Sequence, residues 1–305
     1  MNKIIGITVA VVAYNEEQNI ERFLKSVFAQ KYKNIKVEKI LVISDGSTDR
    51  TSEIVKNFSS MQIIFHQRRR RRGKSMRLNE IYSTLTSQIL VQFDADVILA
   101  HPLVIDNIVS MLISDDKIAM CGGNPIPVKA QGLVERAINI TCAVYNEFRS
   151  KVRNGNNIFS ADGRILAFKK EFIEKIRVPE NMIANDMYTY FACLSHGYSY
   201  RYVKDAIVYF NSPKTVADHI KQNTRFRASP IRMKRYFQKE LVERELIIPK
   251  KLLMLTQIKY FLRSPCLAFF IFMLNKYCEI NALIGESDIK GTWDVAYTTK
   301  KLERL

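Results

Sequence analysis

The sequence predicts an α/β fold: a doubly wound sheet, largely parallel, with helices on both faces. Three observations predict it. Apolar runs alternate regularly with segments of helical periodicity over about the first hundred residues. The runs are continuously apolar and rich in Ile and Val, as strands covered on both faces must be. Polar and acidic residues gather where the runs end, and in such sheets ligands bind beyond the C-terminal ends of the strands.

The elements follow in order. Residues 4–13 read as a buried strand. Asn15 is placed to cap the next helix, with Gln18 as its capping-box partner, and Ile20, Phe23, Leu24, Val27 and Phe28 recur at helical spacing through residues 16–30. A second strand covers 37–44, and Asp45-Gly46-Ser47-Thr48-Asp49 is a turn leading into a short helix that ends near 58. A third strand covers 61–66. Leu78, Ile81, Tyr82 and Leu85 mark one face of a helix, and a fourth strand, 88–93, ends at Asp94-Ala95-Asp96. Beyond residue 100 the alternation weakens. Residues 102–114 predict a helix, 117–122 and 163–168 strands, 185–196 a helix, 198–210 a strand pair or hairpin arm, and 213–228 a basic helix opened by Ser212-Pro213. No internal repeat is present. A compositional change near 247 divides a catalytic domain, 1–247, from a helical extension, 248–305. Within the former, a nucleotide half (about 1–122) precedes an acceptor half (about 123–247).

Composition narrows the function classes. With 47% apolar and 25% charged residues among 305, the chain has a globular balance rather than a disordered one. Its five cysteines are widely spaced without a C-x-x-C pair, so they read as reduced thiols of a cytoplasmic protein rather than a disulfide frame or zinc site. The N-terminal apolar run lacks a cleavage site for export. No run of 18 apolar residues occurs; residues 264–275 come nearest, twelve without a charge. The net charge is +17, and residues 220–251 alone hold ten basic against three acidic side chains. Charge by itself leaves nucleic acid, membrane phosphate and nucleotide substrates open.

The chemistry concentrates at the strand ends. Two carboxylates one residue apart, Asp94 and Asp96, can hold a hard divalent cation, Mn²⁺ or Mg²⁺, and leave positions open for phosphate oxygens. Alone, a D-x-D is as easily a solvated turn. Here it follows Tyr14-Asn15-Glu16 after the first strand, Asp45-Gly46-Ser47-Thr48-Asp49 after the second, and Gly73-Lys74 with Asn79 at a helix start. That order resembles the family 2 inverting glycosyltransferases, whose GT-A-like catalytic domain is a Rossmann-like mixed sheet. The resemblance continues through Asp162-Gly163, Asn185-Asp186 and Gln222-x-x-Arg225-Phe226, and so covers about residues 4–228.

The resemblance implies roles. Ala13, Tyr14 and Glu16 would line the base and ribose pocket, Asp45 would accept from the uracil ring N–H, and Lys74 and Arg225 would meet the phosphates. Asp94 would contact ribose and share the metal with Asp96. Asp186 would be the base that deprotonates the acceptor hydroxyl, with Asn185 where the family usually has Glu. Asp162, Gly163, Gln222 and Phe226 would face the acceptor. Phe226 stands where the polymer-making branch, related to cellulose and hyaluronan synthases, has Trp. The expected partners are a nucleotide-diphosphate sugar, most simply a UDP-sugar, and a glycan or lipid-linked acceptor, as in polysaccharide biosynthesis. Nucleic acid is not expected.

Several features stay open on sequence alone. The Arg68–Arg72 run reads as a solvated loop or as an anion clamp beside the nucleotide. The four histidines have no partner at ligand spacing. The Phe-rich stretch 258–284 is either a helix packed on the catalytic domain or an element lying peripherally on an anionic membrane at its cytosolic face. The rival functions are a silent sugar-nucleotide or anionic-lipid binding protein and a nucleotidyltransferase, though the latter would favour a Gly-rich loop after the first strand.

Overall fold

The computed structural model describes residues 4–58, 62–292 and 297–300, with the side chain of residue 297 left aside. One eight-stranded sheet organises them: β1 (Ile5–Ala13), β2 (Ile35–Asp45), β3 (Ile63–Arg68), β4 (Ile89–Asp94), β5 (Val97–Leu99), β6 (Ile118–Pro127), β7 (Ile165–Lys169) and β8 (Ser199–Phe210), in spatial order 3-2-1-4-7-6-8-5. The helices are α1 (Ile20–Phe28), α2 (Thr51–Asn57), α3 (Lys74–Ser83), α4 (Val104–Leu112), α5 (Leu133–Lys151), the single turn α6 (Lys170–Ile173), α7 (Asn185–Ser195), α8 (Val216–Met233), α9 (Lys239–Glu245), α10 (Lys250–Arg263) and α11 (Pro265–Gly285).

The first four strands are mutually parallel, as their unbroken apolar character predicts. The sheet is mixed because β7 runs antiparallel to both β4 and β6. Alternate residues of β1 face opposite layers: Ile7, Val9 and Val11 join one apolar cluster with α1 and α4, and Ala10 joins the other with α3 and α7. Parallel register sets Ala13 beside Ser44, and Val12 beside Asp94, so the loops after β1, β2 and β4 emerge together.

Some local expectations change. Asn15 does not cap α1, which begins at Ile20. It takes a left-handed backbone, φ 54°, and its Oδ1 accepts from the Thr48 N–H at 2.8 Å, joining the first two loops. The third strand starts at Ile63, and residue 61 lies outside the described residues. Residues 198–210 form one long strand instead of a strand pair. It changes register against β6 and takes the short β5 along its last residues. The basic helix, Val216–Met233, is capped by Thr215, whose hydroxyl accepts from the Asp218 N–H, and runs through Pro230. Ser212 instead donates to Asn139 of α5 at 2.6 Å.

The extension after 247 is joined to the catalytic part by buried contacts. Ile271 of α11 packs with Ala137 and Ile138 of α5, and Ala282 with Ala228 of α8. Arg232 of α8 donates to the Glu286 carboxylate at 2.5 Å, the Glu286 carbonyl at 2.7 Å and the Asn181 carbonyl at 2.8 Å. Both charges are almost fully buried, so removing one strands the other. Arg235 also pairs with Glu286 and softens the loss. Arg232→Met is therefore expected to cost about 3 kcal/mol, the low end for a broken buried pair. A denaturant midpoint unchanged from wild type would show that the junction is not stabilising.

Candidate active site

The loops after β1 and β2 are laced before any ligand arrives. The Glu16 N–H donates to Thr51 Oγ1 at 2.7 Å, the Glu17 N–H to Asp49 Oδ2 at 3.0 Å, and the Arg50 N–H to Glu17 Oε2 at 3.0 Å. Asp49 is thus a brace. Asn79 is another, exchanging two 2.8 Å bonds with the Val178 backbone.

Asp45 sits at the end of β2 and is 2% exposed. Its Oδ1 accepts from the Arg72 N–H at 3.0 Å and from Arg77 Nε at 2.6 Å, and its Oδ2 from the Gly73 N–H at 2.8 Å. The carboxylate expected to read the base is therefore engaged with its own chain, holding the arginine loop in place. Gly46 makes this possible. Its φ is +76°, and a Cβ there would lie 2.6 Å from the Arg71 nitrogen. The arginine run is neither free loop nor bare clamp. Arg68 pairs with Glu80, Arg71 lies 4.1 Å over the Tyr14 ring, and the Arg70 carbonyl accepts from Arg77. Glu16 is covered too, by Asn19 and by the Lys300 ammonium, which also donates to the Tyr14 carbonyl at 3.0 Å. Ala13 is fully buried. Of the residues expected around the base, Tyr14 is the one with open surface in this arrangement.

A second group gathers at the end of β4. Lys74, first residue of α3, pairs with Asp94. Gly163, on the loop leading to β7, donates its N–H to Asp186 Oδ2 at 3.1 Å, and a Cβ on Gly163 would lie 3.5 Å from Lys74 Nζ. Asp186 stands in the first turn of α7, where its Oδ1 accepts from the Met187 N–H at 2.9 Å. Burial, and then the charge of Asp162, push the Asp186 carboxyl above its ordinary pKa. Asn185 turns the other way, into the core, and accepts from Ser75 Oγ at 2.8 Å. The Asn185-Asp186 pair therefore does not work as a helix cap: one residue fastens α7 to α3, and the other faces Gly163 and Lys74.

Asp96 is pushed up to about 6 by burial and by the neighbouring Asp94 charge, against the pull of Arg164 and Lys74. Asp162, expected at the acceptor, is half-buried and already paired within the chain. Both of its oxygens receive Arg164, and although burial acts to raise it, Arg164 and Arg149 hold it below the ordinary carboxylate range. Arg164 itself lies 3.8 Å over the Phe210 ring among Asp162, Asp96 and Asp94. Arg225 of α8 enters the same neighbourhood, its pKa lowered to about 10 by burial against the opposing charges of Asp186 and Asp94. Gln222 is half-buried on α8, and Phe226 is 45% exposed.

Arg164, Arg77 and Lys300 were not singled out from sequence. Arg164 had one available signal, its position two residues after Asp162. Lys300 had none, since 284 residues separate it from Glu16. A hollow of about 650 Å³ bordered by Leu194, Tyr236, Phe237 and Arg244 lies elsewhere, on none of the strand-end loops.

A divalent ion fits the donor set. The Asp94 charge adds to the burial that raises Asp96, and a cation between the two relieves that repulsion. Among the described residues no group of three or more His, Cys, Asp or Glu side chains is arranged to hold an ion, so further ligands would come from the substrate.

Residues 8–177 match the family model described as glycosyl transferase family 2. A probable glycosyltransferase of Bacillus subtilis, YdaM, is 26% identical over 234 residues, covering 74% of this chain. The poly-beta-1,6-N-acetyl-D-glucosamine synthase of Staphylococcus aureus is 27% identical over 237 residues, again 74% of this chain. The chain spans 55% of the length of each. Among solved structures, the Pyrobaculum calidifontis mannosyltransferase PcManGT, in complex with GDP-Man and Mn²⁺, aligns with a TM-score of 0.66 at 19% identity, over 92% of this chain and 86% of that one. Staphylococcus aureus TarS 1-349 with UDP aligns at 0.51 and 16%, over 74% and 66%. At those identities the structural matches speak for the fold, and the fold agrees with the mixed α/β sheet and helical C-terminal part predicted from sequence.

Proposed function

The chain belongs to glycosyl transferase family 2, and from that membership we propose that it moves a sugar from a nucleotide-diphosphate donor, most simply a UDP-sugar, to a hydroxyl of a glycan or lipid-linked acceptor, with inversion. The observation that carries this reading is the convergence of Asp186, the Gly163 N–H, Lys74 and Asp94 on one spot at the strand ends. A half-buried carboxylate lies beside the charges of Lys74 and Arg225, and Arg164 lies among the neighbouring acids Asp162, Asp96 and Asp94.

In the proposed reaction Asp186 accepts the acceptor hydroxyl proton. The oxygen forms its bond to the anomeric carbon as the bond to the diphosphate oxygen breaks, and the nucleoside diphosphate leaves with the electron pair. Asp94 and Asp96 would hold Mn²⁺ or Mg²⁺, which neutralises charge on the diphosphate when bound. Lys74 and Arg225 stabilise the same leaving charge. Tyr14 offers the base a face. Asp45 supports the pocket by fixing the arginine loop, and direct contact between Asp45 and the base requires that loop to release it. The structural role of Asn185 removes one reason to think the site silent, because that residue points away from the reacting groups.

Asp186 is expected to set the acid limb of the turnover profile above the ordinary aspartate value, since a raised carboxyl must first lose its proton to act as base. A limb at or below about 3.9 would argue against it. The whole reading is tested by thermal unfolding with nucleotides and Mn²⁺, with and without EDTA. UDP at a hundredfold excess over Kd stabilises a binder by about 2.7 kcal/mol through mass action. If no nucleotide or nucleotide sugar stabilises the protein with either metal, the donor assignment fails. Release of sugar from the donor distinguishes an enzyme from a silent binder.

A further inference from the structure

The helices α10 and α11 present a surface that the site does not use. On α11, Phe269, Met273, Tyr277, Ile280 and Ile284 follow one another at helical spacing and all are exposed, Ile284 by 80%. On α10, Leu255, Ile258 and Leu262 do the same, Leu262 by 75%. A soluble monomer seldom leaves a continuous apolar stripe of this kind uncovered. The charge around it is mostly basic, with Glu279 of α11 paired to Lys276. Residues 247–274 contain Lys250, Lys251, Lys259 and Arg263 and no acidic residue. Lys259 reaches Glu147 of α5, while Lys250, Lys251 and Arg263 are exposed.

We propose that α10 and α11 form a membrane-docking surface that seats this protein on a bilayer with anionic headgroups, its helices lying in the interface plane. The apolar stripe enters the boundary between headgroups and acyl chains, the basic residues meet lipid phosphate, and Tyr260 and Tyr277 occupy the polar–apolar border. A lone apolar helix of 21 residues is long enough to cross a bilayer, and Pro265–Asp288 satisfies length and composition for that. The other face of α11 argues against crossing. Ile271, Cys278 and Ala282 are buried on the protein side. Asn275 accepts from Asn223 at 2.8 Å, pairs with His219 at 2.9 Å and donates to Thr141 at 3.1 Å. Crossing would strip these contacts and carry polar groups into hydrocarbon, whereas lying flat keeps them. A second copy covering the same face would bring together two surfaces that each carry Lys250, Lys251, Lys259, Arg263 and Lys276 against the single acid Glu279 over 250–285. Anionic lipid answers that charge.

The surface is independent of the transfer reading, and its test can be scored apart from it. Flotation of the full chain with phosphatidylcholine vesicles, with and without phosphatidylglycerol, is expected to show binding that needs the anionic lipid and weakens with salt. Leu262→Gln with Phe269→Gln should weaken it at least about tenfold, and Lys250→Gln with Lys251→Gln by roughly 25-fold at low salt. Both pairs lie on the exposed face, so the melting temperature and its response to UDP with Mn²⁺ should not change. Vesicle-induced protection of α10 and α11 amides from hydrogen exchange in the unaltered chain is a second measure that needs no variant. The proposal is overturned if the unaltered chain neither floats with anionic vesicles nor gains that protection. It is also overturned if the apolar variant floats as well as wild type, or if those substitutions instead abolish a self-association seen by sedimentation in a chain that ignores vesicles.

Discussion

Asp186→Asn is expected to lower turnover by about 10²–10⁴-fold, the range for loss of a general base, while leaving donor binding near wild type. The geometry makes the substitution conservative. Its one amide oxygen can keep the bond from either the Gly163 or the Met187 N–H, which reach different oxygens of the carboxylate, and the other bond is lost. It cannot take a proton from an acceptor hydroxyl at neutral pH. Stability should barely move. The Asp186 carboxyl is raised by burial and by Asp162, so its folded pKa lies above the unfolded one. The favourable contribution of such a group is present at low pH and is lost as pH rises through the folded pKa. At neutral pH the native state therefore holds a disfavoured carboxylate, whose removal offsets the one backbone N–H bond that Asn gives up, so the melting temperature should change little. A stable variant with wild-type turnover on a matched donor and acceptor would move the base elsewhere. An unstable one would show that the carboxylate is structural first.

Much of this arrangement was legible because its signals are local. Residues 5–13 and 89–94 could hardly be anything but buried strands, and Asp94 and Asp96 had to lie at an end of one. Spacing along the chain also sufficed to put Asp45, Lys74, Asp94, Gly163 and Asp186 in one order resembling one family. Directions were not legible. Asp45 was expected to face a base and instead receives two backbone N–H groups and Arg77, because the arginine loop folds back over Gly46. Asp162 was expected near the acceptor and is consumed by Arg164. The first depends on a loop folding back in three dimensions, which no periodicity reveals; the second depends on Arg164, two residues away, whose direction the spacing does not give.

The helix α5 escaped notice for a related reason. Glu135, Arg136, Asn139, Asn146 and Glu147 interrupt its apolar pattern, yet several of them are spent on contacts. Asn139 holds the Val128 carbonyl at 2.9 Å and Ser212, while Glu147 takes Lys151 and Lys259. Its polar residues serve neighbours that lie far away in sequence. The length of α11 was masked differently, by Lys276 and Glu279. These form an ion pair of their own on the exposed side at 2.9 Å.

Asp96→Ala is expected to remove the metal-dependent part of UDP affinity, on the order of a hundredfold or more with Mn²⁺ present, since even partners that merely orient a metal ligand are worth 10–100-fold. The reasoning rests on charge. Asp94 is already paired with Lys74, and Asp162 with Arg164, whereas Asp96, beside Asp94 on the same strand end, has no side chain hydrogen-bonded to it among the described residues. Its pKa, pushed up to about 6, is the cost first of burying a carboxylate and then of holding it beside the Asp94 charge. A divalent ion offsets that cost and an alanine cannot share the ion with Asp94. Removing Asp96 also leaves Arg164, Lys74 and Arg225 facing fewer acids. A residual UDP affinity that is weak, lost at high salt and indifferent to EDTA is therefore expected, because those cations can meet a diphosphate without metal. Calorimetric titration of UDP with Mn²⁺ and with EDTA reads both parts. If the variant and the wild type lose the same fraction of affinity to EDTA, Asp96 does not hold the ion.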